Sequence, residues 1–172
     1  NYPKVVLDNL MNFLSTHDTG RMFTDLINIA DGDRKKATKL MKIASLLTFT
    51  LPGVPSIFYG DEYGMENNDN SSRGCFDWNN YNNEIFAWYK KLSGIRKYTV
   101  MKDGEMNILY ADYGKFVFER VSDNERIVVM TNMSNSPLDI NLEGEFVSFV
   151  TGKKINSFKL KENELEILIE KK

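Results

Sequence analysis

Two apolar runs, each of which stops abruptly at polar residues, constrain the fold of this chain more than any other feature. The first covers residues 10–16 and ends at His17 and Asp18, and the second covers residues 54–59 and ends just before Asp61. Buried strands of a parallel sheet read as continuous apolar runs, and the polar side chains at their carboxyl ends carry chemistry. The pattern therefore predicts two parallel strands with a functional edge.

Helical spacing of apolar residues fills the intervals around these runs. It predicts helices over residues 21–30, from Asp33 to Pro52, and over residues 82–97. The carboxylate of Asp33 can cap the second helix by accepting backbone N–H bonds. Residues 60–81 form a long stretch rich in Asn, Asp, Ser and Gly, and a loop of that length in a compact domain favours a functional role.

The second half of the chain changes its hydrophobic period. Apolar residues alternate there, with Asn, Asp and Gly breaks between the runs, as in Phe116 and Phe118 or in Leu165, Ile167 and Ile169. Several short alternating strands at such spacing indicate an antiparallel sheet or sandwich. We therefore predict an α/β fold over residues 1–97 and a small antiparallel β-sandwich domain over residues 98–172, with the boundary near residue 98.

Composition excludes several classes of function. The net charge is −2 with lysines scattered among acids, which gives no electrostatic footprint for nucleic acid. No apolar run approaches the roughly 20 residues that cross a bilayer. The single cysteine, Cys75, excludes an internal disulfide framework and favours a cytoplasmic location. No cluster has metal-ligand spacing, so neither metal nor cofactor is expected. The chain begins at Asn1 and reads as a piece of a longer protein.

Two long motifs in the right order resemble those of the α-amylase family of glycoside hydrolases. Residues 12–21 read NFLSTHDTGR and are similar to the family's strand-seven motif, while residues 52–65 read PGVPSIFYGDEYGM and resemble the eighth strand with its loop. Residues 69–78 are similar to a loop of the neopullulanase, cyclomaltodextrinase and α-glucosidase branches. They depart from it at Asn70, where proline is usual, and at residues 74–75. The resemblance covers residues 1–97 and implies the last strands and helices of a (β/α)₈ barrel.

The resemblance also implies an activity and a set of site residues. The family cleaves α-glucosidic bonds with retention, through an oxocarbenium-like transition state. Asp18 matches the carboxylate that holds two hydroxyls of the distorted sugar, and His17 matches a histidine that contacts the same sugar. Asp69 and Arg73 match a pair that binds the non-reducing side of an α-glucan or maltooligosaccharide substrate. A buried structural salt bridge remains an equal alternative for that pair.

The acidic pair Asp61 and Glu62 looks like a general acid and base, but the resemblance makes both structural residues of the strand-eight loop. The family's nucleophile and general acid lie on earlier barrel strands, which this chain does not contain. We therefore expect the isolated chain to be inactive, and the remainder of the barrel or another copy to cover the open barrel edge. A non-catalytic carbohydrate-binding or interaction module is the alternative, and a family member that has lost activity is a third possibility.

Overall fold

The computed structural model describes residues 2–67, 71–155 and 157–170 of the chain. The backbone divides into two compact units, Asn1–Ile95 and Arg96–Lys172. The first unit is mainly helical, and the second is built mostly from antiparallel strands. Within the described residues, no helix combines the length and apolarity that crossing a bilayer requires.

Helices dominate the first unit. In chain order its elements are α1 (Lys4–Leu7), β1 (Met11–Asn12), α2 (Met22–Ile29), α3 (Arg34–Thr50), β2 (Val54–Pro55), a 3₁₀ turn (Asp61–Tyr63) and α4 (Asn83–Ile95). The three helices predicted from apolar spacing are confirmed as α2, α3 and α4. The predicted cap is confirmed as well, because Asp33 Oδ1 accepts from the backbone N–H groups of Lys35 at 2.9 Å and Lys36 at 3.1 Å.

The core of the first unit lies between α3 and α4, with a contribution from α2. The indole Nε1 of Trp88 on α4 donates to the Lys42 carbonyl at 3.0 Å and to Ser45 Oγ at 3.1 Å, so the packed helices are also joined by hydrogen bonds. The side chains that fill this core are almost entirely removed from solvent: Phe23, Ala37, Met41, Ile43, Leu46, Phe49, Ile85, Tyr89, Leu92 and Ile95.

The two strands of the first unit pair in parallel, as predicted, but they are shorter than predicted. Met11 lies opposite Val54 and Asn12 opposite Pro55, so each strand has two residues instead of the whole of an apolar run. Among the described strands, β1 and β2 pair only with each other. Within this part of the chain neither strand has a second neighbour that would extend its hydrogen-bonded ladder, which explains why the strands are short.

The prediction that both apolar runs are buried is wrong for this chain. Met11 is 64% exposed, Phe13 52% and Val54 47%. Strands of a parallel sheet are normally covered on both faces. The described residues provide no further strand beside β1 and β2, and the apolar side chains of the runs therefore remain open to solvent.

A buried polar cluster joins the segments that follow β1 and β2. Ser15 Oγ donates to Asp61 Oδ1 at 2.8 Å and accepts from the backbone N–H of Met22 at 3.0 Å. Arg21 Nη1 lies 3.7 Å from Asp61 Oδ1 and donates to the carbonyl of Tyr59. Ser15, Arg21 and Asp61 are each at most 2% exposed. The cluster thus fixes the two segments to each other where the site residues begin.

The guanidinium of Arg21 is incompletely hydrogen-bonded. Its carbon lies 4.4 Å from the ring centroids of both Phe58 and Tyr59, while Nε and Nη2 have no hydrogen-bond partner among the described residues. A buried charge is costly unless it is paired, and cation–π contacts offset part of that cost. Burial raises the pKa of Asp61 to about 6, although the Ser15 hydrogen bond and the charge of Arg21 both act to lower it.

The second unit contains α5 (Val100–Asp103) followed by antiparallel strands. These are β3 (Glu105–Asp112), β4 (Lys115–Val121), β5 (Arg126–Asn132), β6 (Leu138–Asp139), β7 (Phe146–Ser148), β8 (Lys154–Ile155), β9 (Lys159–Leu160) and β10 (Glu164–Glu170). Strands are confirmed at β4, β5 and β10, where apolar residues alternate in the sequence, but burial does not alternate along them, since every residue of β5 after Arg126 is buried. Six strands form one sheet in the order β3-β4-β5-β10-β7-β8, and β6 pairs with β9 in a separate ribbon.

The core of the second unit shows how the ribbon and the sheet meet. Buried side chains from the sheet and the ribbon form one hydrophobic cluster: Val117, Val128, Met130, Leu138, Phe146, Leu160 and Leu168. Leu138 and Leu160 belong to the ribbon, so the ribbon covers part of one sheet face. The second unit is thus a six-stranded antiparallel sheet with a short ribbon packed against it.

Gly53 gives a stability prediction for the β1–β2 pair. It has φ of +114°, and a Cβ there would lie 2.6 Å from the carbonyl oxygen of Leu10. We expect Gly53→Ala to lower the free energy of unfolding by at least about 2 kcal/mol. Gly32→Ala is the matched control, because φ is +84° but a Cβ would meet nothing within 4 Å. It should cost about 1 kcal/mol. Equal losses in urea unfolding followed by circular dichroism would contradict the steric argument.

Asp61 gives a prediction about pH. Its pKa rises from 3.8 to about 6 on folding, so the folded state binds the proton more tightly. The stabilisation that comes from this tighter proton binding is full below about pH 4 and is lost as pH rises through about 6. The total loss is at most about 3 kcal/mol. The free energy of unfolding of the wild type minus that of Asp61→Asn should therefore fall between pH 4 and pH 7 in urea unfolding.

The control for this measurement is Asp31→Asn. Asp31 is exposed, and its φ of 52° is a backbone conformation that asparagine also tolerates. A difference between wild type and Asp61→Asn that stays constant over this range, or rises with pH, would contradict the prediction.

Candidate functional site

The polar residues after β1 form a compact turn that presents His17 and Asp18 to solvent. The turn is closed by Thr19 Oγ1, which accepts from the backbone N–H of Thr16 at 2.9 Å and lies 3.1 Å from Thr16 Oγ1. Thr16 Oγ1 also accepts from the backbone N–H of Asp18 at 3.2 Å. The two threonine hydroxyls therefore hold the backbone of the turn, which leaves the side chains of His17 and Asp18 available for other contacts.

Arg73 joins this turn from the loop that follows β2. Its Nη2 donates to Asp18 Oδ1 and its Nε to the carbonyl of His17, both at 3.0 Å. Ser72 Oγ donates to the same carbonyl at 3.3 Å. On the other side of the carboxylate, His17 Nε2 lies 3.1 Å from Asp18 Oδ2. Arg73 thus hydrogen-bonds one oxygen of Asp18, while the imidazole of His17 lies close to the other.

The structure brings together three of the four predicted site residues: His17, Asp18 and Arg73. Asp69 lies outside the described residues, so its predicted pairing with Arg73 stays a prediction. The guanidinium of Arg73 contacts Asp18 and the turn itself, a contact that the sequence pattern did not predict. The side chain of Arg73 is 63% exposed, and the alternative of a structural salt bridge with Asp69 stays untested because Asp69 lies outside the described residues.

Exposure shows what this cluster does for the fold. The side chains of His17, Asp18 and Arg73 are 65%, 71% and 63% exposed. Ion pairs at such positions contribute about 0–1 kcal/mol to stability. The fold therefore gains little from the contacts of this exposed carboxylate.

Asp61 and Glu62 occupy a different environment. Asp61 is buried against Ser15 and Arg21, while a carboxylate oxygen of Glu62 accepts from the backbone N–H of Gly60 at 2.9 Å and so supports the turn. These contacts agree with the structural interpretation of the pair. None of the described His, Cys, Asp and Glu side chains gather in a group of three or more that could hold a metal ion.

Sequence reasoning gave no role to Ser15 or Arg21, although both lie within the first motif. The available signal was the charge of Arg21, which directly precedes the apolar residues Met22 and Phe23 at the start of a helix. A buried arginine requires an anionic partner, and Asp61 is a carboxylate that follows the second apolar run. That reasoning would have paired Arg21 with Asp61.

Comparison with known proteins identifies the first half of the chain. Residues 2–84 match the family model described as "Alpha amylase, catalytic domain". Over 164 residues the chain is 33% identical to a cyclomaltodextrinase from Geobacillus thermopakistaniensis, an alignment that covers 89% of this chain and 26% of the relative. It is 35% identical over 128 residues to an amylopullulanase from Thermoanaerobacter thermohydrosulfuricus, covering 69% of this chain and 9% of the relative.

Solved structures give the same result for the fold. The type III pullulan hydrolase from Thermococcus kodakarensis superposes with a TM-score of 0.82 at 26% identity, over 98% of this chain and 30% of that one. The chain spans about a quarter or less of the length of the two curated relatives. The resemblance found in the motifs is therefore confirmed, and the chain belongs to the α-amylase family of glycoside hydrolases.

Proposed function

We propose that this chain is the C-terminal part of a retaining α-glucan hydrolase that cleaves α-1,4-glucosidic bonds in starch-derived oligosaccharides. The observation that carries the proposal is the exposed Asp18 carboxylate in the turn that follows β1, which accepts a hydrogen bond from Arg73 and lies 3.1 Å from His17 Nε2 although the fold gains little from these contacts. The cyclomaltodextrinase and the pullulan hydrolase that the chain resembles are named for α-glucans, which supports this class of substrate.

Asp18 acts in this proposal as a stabiliser of the transition state. Positive charge develops on the sugar ring as the glycosidic bond breaks, and hydrogen bonds from ring hydroxyls to a carboxylate strengthen as that happens. A carboxylate oxygen has more than one acceptor position, so Asp18 can accept from the sugar while Arg73 and His17 keep their contacts. The hydrogen bond from Arg73 orients the carboxylate before the substrate reacts, which reduces the reorganisation that the reaction requires.

His17 and Arg73 have supporting roles. The imidazole of His17 lies at the exposed surface beside Asp18, where it can contact the hydroxyls of the same sugar. Arg73 uses Nε and Nη2 on the turn, and its Nη1 has no hydrogen-bond partner among the described residues, so it can donate to a hydroxyl on the non-reducing side of the substrate. Asp69 would complete that contact.

Catalysis requires a nucleophile and a general acid in addition to Asp18. Residues 1–97 supply only the last part of the barrel in this proposal, since a full barrel takes about 250 residues. The exposed apolar side chains at Met11, Phe13 and Val54 support this view, because further barrel strands would cover them. We therefore propose that residues 98–172 form a C-terminal β domain, and that the 172-residue chain alone hydrolyses no glucan.

The test of the proposal is hydrolysis of maltooligosaccharides by the whole protein, which in this proposal is the full enzyme that contains this chain, and by its Asp18→Asn variant. The amide keeps the shape but removes the charge, so we expect kcat to fall at least about a hundredfold with little change in melting temperature. Asp139→Asn serves as the control, because Asp139 is also an exposed carboxylate in an ion pair, with Lys159 at 2.8 Å. Near-normal kcat for Asp18→Asn, or no hydrolysis by the wild type, would refute the assignment.

A second prediction concerns the two hydrogen bonds that Arg73 donates. A lysine keeps the charge but cannot donate to the His17 carbonyl and to Asp18 Oδ1 at the same time. We expect Arg73→Lys to lower kcat/KM on maltooligosaccharides about tenfold while the melting temperature stays unchanged. Lys159→Ala, which breaks an equally exposed ion pair, should change neither quantity. A loss of thermal stability with normal kcat/KM would mean that Arg73 is structural.

A further inference from the structure

The first unit contains a cavity that the proposed function does not use. Its volume is about 510 Å³, and it lies among the start of α2, the start of α3 and the loop that connects the 3₁₀ turn to α4. None of His17, Asp18 and Arg73 lines it. The volume falls within the range of roughly 300–1,000 Å³ that small-molecule sites occupy in proteins.

Aromatic side chains form the apolar part of the cavity wall. Phe23, Tyr63 and Tyr81 all line it, and the rings of Tyr63 and Tyr81 pack edge-on with their centroids 4.8 Å apart. Tyr63 also contacts Phe86, with 4.8 Å between ring centroids. The tyrosines are therefore fixed by their neighbours, and they offer a preformed surface to an apolar face of a ligand.

Several polar groups of the wall have unused hydrogen-bonding capacity. The hydroxyls of Tyr63 and Tyr81 and the side-chain amide of Asn80 have no hydrogen-bond partner among the described residues. Asp77 Oδ1 accepts from the backbone N–H of Asn79 at 3.0 Å, which leaves its second oxygen available. An amide, hydroxyls and a carboxylate oxygen together supply both donors and acceptors.

The charge of the wall argues against an anionic ligand. The one guanidinium, that of Arg34, is neutralised by a bidentate pair with Glu66, in which Nη1 donates to Oε2 at 3.3 Å and Nη2 donates to Oε1. Asp77 then leaves the cavity with a formal charge of about −1. A phosphate or carboxylate would find no free cation among the described residues of the wall, whereas a neutral ligand with many hydroxyls would meet matching donors and acceptors.

From this combination we infer that the cavity binds a glucose unit of an α-glucan. A sugar ring has an apolar face of C–H groups, which suits Tyr63 and Tyr81, and a rim of hydroxyls, which suits Asn80 and Asp77. The choice of glucose among neutral polyols rests on the proposed function. Binding and hydrolysis are measured separately, so the two proposals can fail independently.

The test is affinity electrophoresis of the whole protein through native gels with and without soluble starch. Asn80→Ala and Tyr81→Phe each remove hydrogen-bonding groups while leaving the ring cluster in place, and each should weaken the affinity for starch about threefold to tenfold. Tyr81→Ala, which also removes the ring, should weaken it further. Tyr113→Ala is the matched control, because Tyr113 is a 96% exposed tyrosine outside the cavity and should keep wild-type affinity.

Melting temperatures distinguish a loss of binding from a loss of stability. Asn80 is exposed and has no hydrogen-bond partner among the described residues, so Asn80→Ala should leave the melting temperature unchanged. Weaker binding by Asn80→Ala and Tyr81→Phe at unchanged melting temperature supports the inference, whether or not the protein hydrolyses starch. The inference is overturned if both variants migrate like the wild type, if Tyr113→Ala loses as much affinity, or if starch does not retard the wild type.

Discussion

The buried contact of Arg21 with Asp61 is the interaction on which the first unit depends. It joins the chain just after β1 to the chain just after β2, and Ser15 adds a hydrogen bond to the same carboxylate. Only two residue pairs connect the strands themselves, so the strand ladder alone holds the two segments weakly. Removing one partner of a buried ion pair typically costs about 3–5 kcal/mol, because the other charge stays buried without compensation. The segments are therefore fixed by a polar contact more than by a sheet.

This buried pair and the exposed pair of Asp18 and Arg73 have different roles in the segments that follow β1 and β2. Arg21 and Asp61 are inaccessible to a ligand, whereas Asp18 and Arg73 lie at the surface three and twelve residues away along the chain. On the first segment only three positions separate Asp18 from Arg21, and the threonine hydrogen bonds close the turn that carries Asp18. The buried pair therefore anchors the segment from which the exposed carboxylate extends.

The sequence predicted those features that depend on local pattern. Helical spacing located α2, α3 and α4, because that period reflects which side of a helix is buried. Apolar alternation located β4, β5 and β10, although β5 is in fact buried on both faces. It failed for β1 and β2, since the length of a parallel strand depends on neighbours that the chain does not supply. The motif placed His17, Asp18 and Arg73 in one site, but the direct contact between Arg73 and Asp18 bridges distant parts of the chain. Spacing alone does not reveal such a contact.

The position of β10 in the second unit dictates an order of folding. β3, β4 and β5 follow one another along the chain and pair as neighbours, so they can form a local meander as soon as they are synthesised. β7 and β8 join that meander only through β10, which lies between β5 and β7. The sheet therefore stays divided until β10 (Glu164–Glu170) has been synthesised. During that interval the unpaired edge of β5 can pair with the wrong strand.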